Sequence, residues 1–211
     1  MSSEDMRITI VRHGETTSNK DDLLQGQLGG ELNEIGIKQS INLRDYLSQS
    51  TFDLIISSDL NRCKQTAIII AEKQTCLTDY NKLIRERSFG VFQGKSRTDF
   101  FKNERALSNP YTNTPESGES ITNLYTRAEK FISNLIIQKK YTNILVVCHG
   151  DTTRMLLGVM QCFDIEKSAK IPLKNACESV VSYIDKQFKI IKINSVEHLD
   201  EMYLSENLSE L

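Results

Sequence analysis

Arg12, His13 and Asn19 fall together in V-R-H-G-E-T-T-S-N (11–19), directly after a run of β-branched residues. A guanidinium is a permanent cation whose planar fork matches phosphoryl oxygens. A neutral imidazole beside it is a competent nucleophile towards phosphorus. A second fork, Arg62, follows S-S-D-L-N (57–61), and a second imidazole, His149, stands in V-V-C-H-G-D-T-T-R (146–154). Two guanidiniums, an imidazolium and the Asn19 amide would cradle a phosphoryl dianion of about −1.5 to −2 charge. In-line attack by His13 would give a phosphohistidine, which water would then hydrolyse. The arginines and His149 would hold the equatorial oxygens throughout. Glu86, in L-I-R-E-R-S-F-G (83–90), is the candidate donor of the leaving group's proton, a role that needs a raised pKa. The cations are built in, so this chemistry requires no metal and no other cofactor.

Such residues, far apart in sequence, can meet only if the elements before them end together. The spacing predicts a buried strand at 7–11, a strand at 53–58 and a strand at 143–148, each running into one of these loops. Asn33 is positioned to cap a helix to about residue 48 with Ile37, Ile41 and Leu47 inward, and Asp59 to cap a helix carrying Leu60, Cys63, Ala67 and Ile70 on one face. Residues 75–84 read as a short strand and a connection. Residues 86–118 are the least regular part, with Gly90, Gly94, Gly118, Pro110 and Pro115. Ser120 opens the clearest amphipathic helix, from Ile121 to Ile136, and a further helix follows Gly150. Residues 178–184 and 188–193 read as antiparallel strands around a Lys-Gln turn, and the polar tail after residue 197, with His198, as surface. Strands alternating with helices predict a sheet covered on both faces, with ligand at the carboxyl edge.

Composition narrows the class. The chain has 211 residues, 39% of them hydrophobic, which suits one globular domain over 1–211. A formal net charge of −2 gives no reason to expect nucleic acid or an anionic membrane as partner, and no apolar stretch approaches the ~20 residues of a membrane helix. Five cysteines without a C-x-x-C pair, after an acidic N-terminus unlike a signal peptide, suit a reduced, cytoplasmic protein. The expected partner is a small phosphorylated substrate. The oligomeric state is not encoded in any visible pattern.

V-R-H-G-E-T-x-x-N at 11–19, S-S-D-L-N-R-C-K-Q-T-A at 57–67, R-E-R-S-F-G-V-F-Q-G-K at 85–95, S-G-E-S at 117–120 and V-V-C-H-G-D-T-T-R at 146–154 together resemble the histidine phosphatase, or phosphoglycerate mutase-like, superfamily. The resemblance spans most of the chain in the family's order. It implies an α/β fold, a three-layer α/β/α sandwich around a mostly parallel mixed sheet. It implies phosphorylation of His13, proton donation by Glu86 and phosphate binding by Arg12, Arg62, Asn19 and His149, with Gly150 in the same set. Gln25 and Gly26, in L-L-Q-G-Q, match a stretch lining that pocket. This stretch and I-R-E-R-S-F-G look most like the branch containing fructose-2,6-bisphosphatase-type enzymes and the cofactor-dependent mutases.

Within that branch, mutases carry a longer insertion with an adjacent arginine pair and a run of prolines. Residues 95–118 have neither, so the cap-like segment at about 91–118 is short and favours water as the acceptor. Arg87, Lys95, Arg97, Lys102 and Arg105 are the cations available there for a second anionic group. A phosphoglycerate mutase-type phosphotransferase is the nearest alternative, since Glu86-Arg87 is shared with mutases. A cysteine phosphatase using the C-x5-R spacing of Cys148 and Arg154 is another. A phosphate-binding module without turnover is the non-enzymatic one. The substrate stays open among sugar bisphosphates, phosphoglycerates, nucleotide-like monophosphates and phosphoproteins.

Overall fold

The strand that delivers His13 lies inside a six-stranded sheet. In the computed structural model, which describes residues 5–105, 109–138 and 140–204, that strand is β1 (Met6–Arg12). The others are β2 (Leu54–Ser57), β3 (Leu77–Tyr80), β4 (Asn143–Cys148), β5 (Glu178–Ile184) and β6 (Gln187–Ser195), in the order β3-β2-β4-β1-β5-β6. β3, β2, β4 and β1 are mutually parallel; β5 and β6 are antiparallel additions.

Alternation along the strands divides the core in two. Ile8, Ile10, Leu54, Ile56, Ile144 and Val146 face α5 (Ile121–Gln138), α6 (Gly150–Met160) and α7 (Ile165–Ala169). Val11, Ile55, Leu145 and Val147 face α2 (Glu34–Leu47) and α3 (Asn61–Ala71) on the opposite side. The result is a three-layer α/β/α sandwich. The short α1 (Thr17–Lys20) and α4 (Arg97–Arg105) contribute to neither of these two cores.

Several local expectations change. Asn33 does cap α2, accepting from Gly36 N at 2.8 Å, but the helix buries Gly36, Gln39, Ser40, Leu43 and Leu47 while Ile37 is exposed. The cause is close backbone contact. A Cβ on Gly14 would lie 2.4 Å from the Gly36 carbonyl oxygen, and one on Gly36 would lie 2.0 Å from that of Glu15. Small and polar residues therefore replace an apolar stripe there. Asp59 does not cap α3, whose N-cap is Leu60 without a side-chain bond; its carboxylate takes Arg85 Nε at 2.6 Å and Nη2 at 2.5 Å. The irregular segment contains the helix α4, fastened by Phe100 and Phe101 packing with Leu24 and Phe89. The hairpin turn is Asp185-Lys186, both in left-handed conformation, which matches the twist of the flanking strands. His198 is half-buried against Tyr46 rather than exposed.

Candidate active site

Three parallel strands place the three loops side by side. His13 N donates to Cys148 O at 3.0 Å and Ser58 N to Val147 O at 2.9 Å, so the ladder carries one residue past each strand. His13, Ser58 and His149 consequently stand at neighbouring carboxyl ends. The His13 and His149 ring centroids are 5.2 Å apart, edge to face.

His13 is fixed at both ring nitrogens. Nδ1 donates to the Gly14 carbonyl at 2.7 Å, which leaves Nε2 as the acceptor of the Arg62 Nε–H at 3.2 Å. Burial, then Arg62 and Arg12, hold the ring well below the usual histidine pKa, so it is neutral, with its Nε2 lone pair engaged by Arg62 at the wall of the cavity it lines.

The sequence around it builds the cradle locally. Thr16 and Asn19 form a capping box on α1. Asn19 Oδ1 also accepts from Asn175 Nδ2 at 3.2 Å, which fixes the amide at the cavity wall. Gln25 Nε2 donates to Thr16 Oγ1 at 2.7 Å. Gly26, in left-handed conformation, aims its carbonyl at Arg62 Nη2 at 2.7 Å, and Leu28 O takes Nη1 at 3.2 Å. Arg62 is thus held from three sides in the first turn of α3. Arg12 Nη1 donates to Leu173 O at 2.9 Å, while its buried Nε has no hydrogen-bond partner among the described residues. Burial and Arg154 lower the Arg12 guanidinium to about 10, still cationic at neutral pH. A buried cation with an unused donor on a cavity wall is a site made for an anion.

His149 takes a different position from that expected. It is fully buried, its Nε2 lies 2.8 Å from Ser58 Oγ, and Cys63 Sγ is 3.3 Å from the same nitrogen. Burial, Arg62 and His13 push its pKa well below the usual value, and the ring stands behind His13, outside the cavity lining. Its neighbour Gly150 does line the cavity, lying against both the Arg12 and Arg154 guanidiniums.

Glu86 enters the cavity on a loop clamped from behind. Arg127 of α5 donates to the Arg85 carbonyl at 2.8 Å and the Glu86 carbonyl at 3.3 Å, and pairs with Glu119 of the S-G-E-S stretch. The Glu86 carboxylate accepts from Thr152 N at 3.2 Å and Asp151 N at 3.3 Å at the start of α6. Those donors favour the anion, yet burial, reinforced by Asp151, wins and raises its pKa.

Arg87 is not brought to the site. Its guanidinium pairs with Glu104 at 2.8 Å and lies over Phe89 at 5.2 Å, because a buried charge must find a partner and α4 supplies one. Of the other cap cations, Arg97 lines the cavity, Lys95 lies over Phe92, Lys102 is exposed, and the Arg105 side chain lies outside the described residues. Asp151 and Arg154, paired at 2.8 Å on one face of α6, also line it. Their i,i+3 spacing after His149 was the signal that could have found them. Nothing local in the sequence marks Arg127, which acts across the fold. Cys148 points into the apolar core, where burial pushes its thiol to about 12, so it is no thiolate nucleophile.

A model of the "Histidine phosphatase superfamily (branch 1)" matches residues 8–196. A broad-specificity phosphatase of Saccharomyces cerevisiae is 28% identical over 93% of this chain and 88% of its own length. A metal-independent phosphoserine phosphatase of Arabidopsis thaliana is 30% identical over 96% and 87%. A fructose-2,6-bisphosphatase of Xenopus tropicalis is 38% identical, but over 61% of this chain and 49% of its own. Among solved structures, a putative α-ribazole-5'-phosphate phosphatase of Escherichia coli superposes with a TM-score of 0.83 at 27% identity, covering 90% of this chain and 96% of that one. Fold, motif order and a family match over residues 8–196 agree: this chain belongs to the histidine phosphatase superfamily.

Proposed function

We propose that the chain is a metal-independent phosphatase that hydrolyses small phosphate monoesters through a phosphohistidine on His13. The observation that carries this reading is the state of His13: neutral, oriented by Gly14, and holding an unprotonated Nε2 against Arg62 inside a cationic cavity. In the first step Nε2 bonds to phosphorus and the bond to the leaving oxygen breaks. Glu86, whose pKa is raised, gives that oxygen its proton. Arg12 Nε, the Arg62 Nε–H released from His13 and the Asn19 amide bind the phosphoryl oxygens. In the second step a water oxygen bonds to phosphorus, the Nε2–P bond breaks and returns its electron pair to His13, Glu86 takes the water's proton, and phosphate leaves. His149, edge-on to the His13 ring, supports it from behind.

The relatives that match over most of the chain are phosphatases of different substrates, which supports the reaction class more than any one compound. A small phosphometabolite with its own anionic group, a sugar bisphosphate among them, suits Arg97 and Arg154 in the cavity lining. Arg87, the cation shared with mutases, is engaged by Glu104, which favours water over a second substrate as acceptor. We place the reaction in the cytoplasm, for which the five free cysteines are suited, and treat 1–211 as one domain with 91–118 as its cap. Phosphate release from p-nitrophenyl phosphate and a metabolite panel, in the presence of chelator, tests the reading. Turnover in the wild type and its loss in His13→Ala are expected; equal rates in both would overturn it.

A further inference from the structure

The tail beyond residue 196 lies outside the matched family region, yet it is tied to the nucleophile's loop. His198 packs its ring 5.4 Å from that of Tyr46 on α2. Its Nε2 donates to the Ala176 carbonyl at 3.0 Å, and the Ala176 N–H in turn donates to the His13 carbonyl at 3.1 Å. Ala176 is in left-handed conformation at φ 51°, which a residue with a Cβ adopts at a cost, and a bond at each side of it holds that conformation. A second line starts at Tyr203. Its carbonyl accepts from Gln39 Nε2 at 2.7 Å, and Gln39 Oε1 accepts from Glu15 N at 2.8 Å. Gln39 is fully buried, and the Lys38 ammonium lies over the Tyr203 ring. The two lines therefore end on His13 and Glu15, the residues flanking the Gly14 carbonyl that orients the imidazole.

We infer that residues 197–203 form a strap that positions the His13 loop, with His198 and Gln39 as positioning residues acting through the Ala176 and Glu15 backbone. In-line attack is sensitive to displacements well below 1 Å, so the loop's position bears on kcat more than on binding by the arginines. This inference rests on the phosphatase reading, and its test has one arm that does not.

In the full-length chain, His198→Ala should lower kcat for p-nitrophenyl phosphate by about tenfold, with KM changed by less than about twofold. His198→Gln, whose amide can reach the same carbonyl, should restore most of kcat. Hydrogen exchange should show the Ala176 and Glu15 amides losing about tenfold of their protection in His198→Ala and in Gln39→Met, with the β4 amides unchanged. Unchanged protection at both amides overturns the strap whatever the activity does. Equal loss of kcat in His198→Ala and His198→Gln overturns the role of the hydrogen bond and assigns the effect to ring packing on Tyr46. An inactive wild type with the expected exchange pattern would refute the phosphatase reading alone.

Discussion

Burial is the largest cause of the pKa shifts at His13, His149 and Glu86. His13 and His149 have depressed folded-state pKa values, through burial first and Arg62 next, so the unfolded chain takes up protons before the folded one as pH falls below about 6.5. Stability is accordingly present above that pH and lost below it. Between pH 6.5 and 5.5 the two rings together should cost about 2 kcal/mol, and His149→Gln should remove about half of that loss in urea unfolding. An identical decline in the variant would contradict the assignment. Glu86 has the opposite shift and is the proposed acid, so kcat for alkyl phosphates should fall as pH rises through its raised pKa. Glu86→Gln should slow alkyl phosphates by about a hundredfold, and p-nitrophenyl phosphate, whose leaving group needs no proton, by far less. Steady-state rates on both substrates decide this. The convergence of His13, Arg12, Arg62 and Glu86 on one cavity was legible in the motif spacing. The withdrawal of His149 behind His13 was not, because it follows from contacts with Ser58 and Cys63, which no local pattern encodes.

The elements act as clamps on these groups. α2 meets the His13 loop backbone to backbone at Gly14 and Gly36, so a methyl at Gly14 has no flexible neighbour to displace. Gly14→Ala should cost roughly 1–3 kcal/mol in urea unfolding and lower turnover as well. α4 is held by the Arg87–Glu104 pair. Glu104→Ala leaves the Arg87 charge buried and unpaired, a cost of about 3–5 kcal/mol. Limited proteolysis should then cleave within 91–118 faster than in the wild type; an unchanged rate would show that the pair does not hold the cap. The strands and the helices α2, α3, α5 and α6 were visible from periodicity. The inward face of α2 and the start of α3 were misread because polar contacts decide them: Gly36 against Glu15, and Asp59 drawn to Arg85. Arg87 was placed in the site for want of any sequence signal that α4 carries its partner.

At the scale of the molecule, the order β3-β2-β4-β1-β5-β6 sets three parallel strand ends side by side and brings residues 13, 62 and 149 into one site. That convergence followed from the strand–helix alternation, although the strand order itself is fixed by long-range pairing that spacing does not reveal. The same order puts β5 beside β1, which lets Ala176 and the tail reach the His13 loop from the antiparallel side. The most direct test of the account is rapid acid-free quenching of the enzyme with 32P-labelled substrate, followed by mapping of the label. Label on the peptide containing His13, stable to base, lost in acid and absent from His13→Ala, is predicted. Label that persists in His13→Ala, or that maps to Cys148, would contradict it.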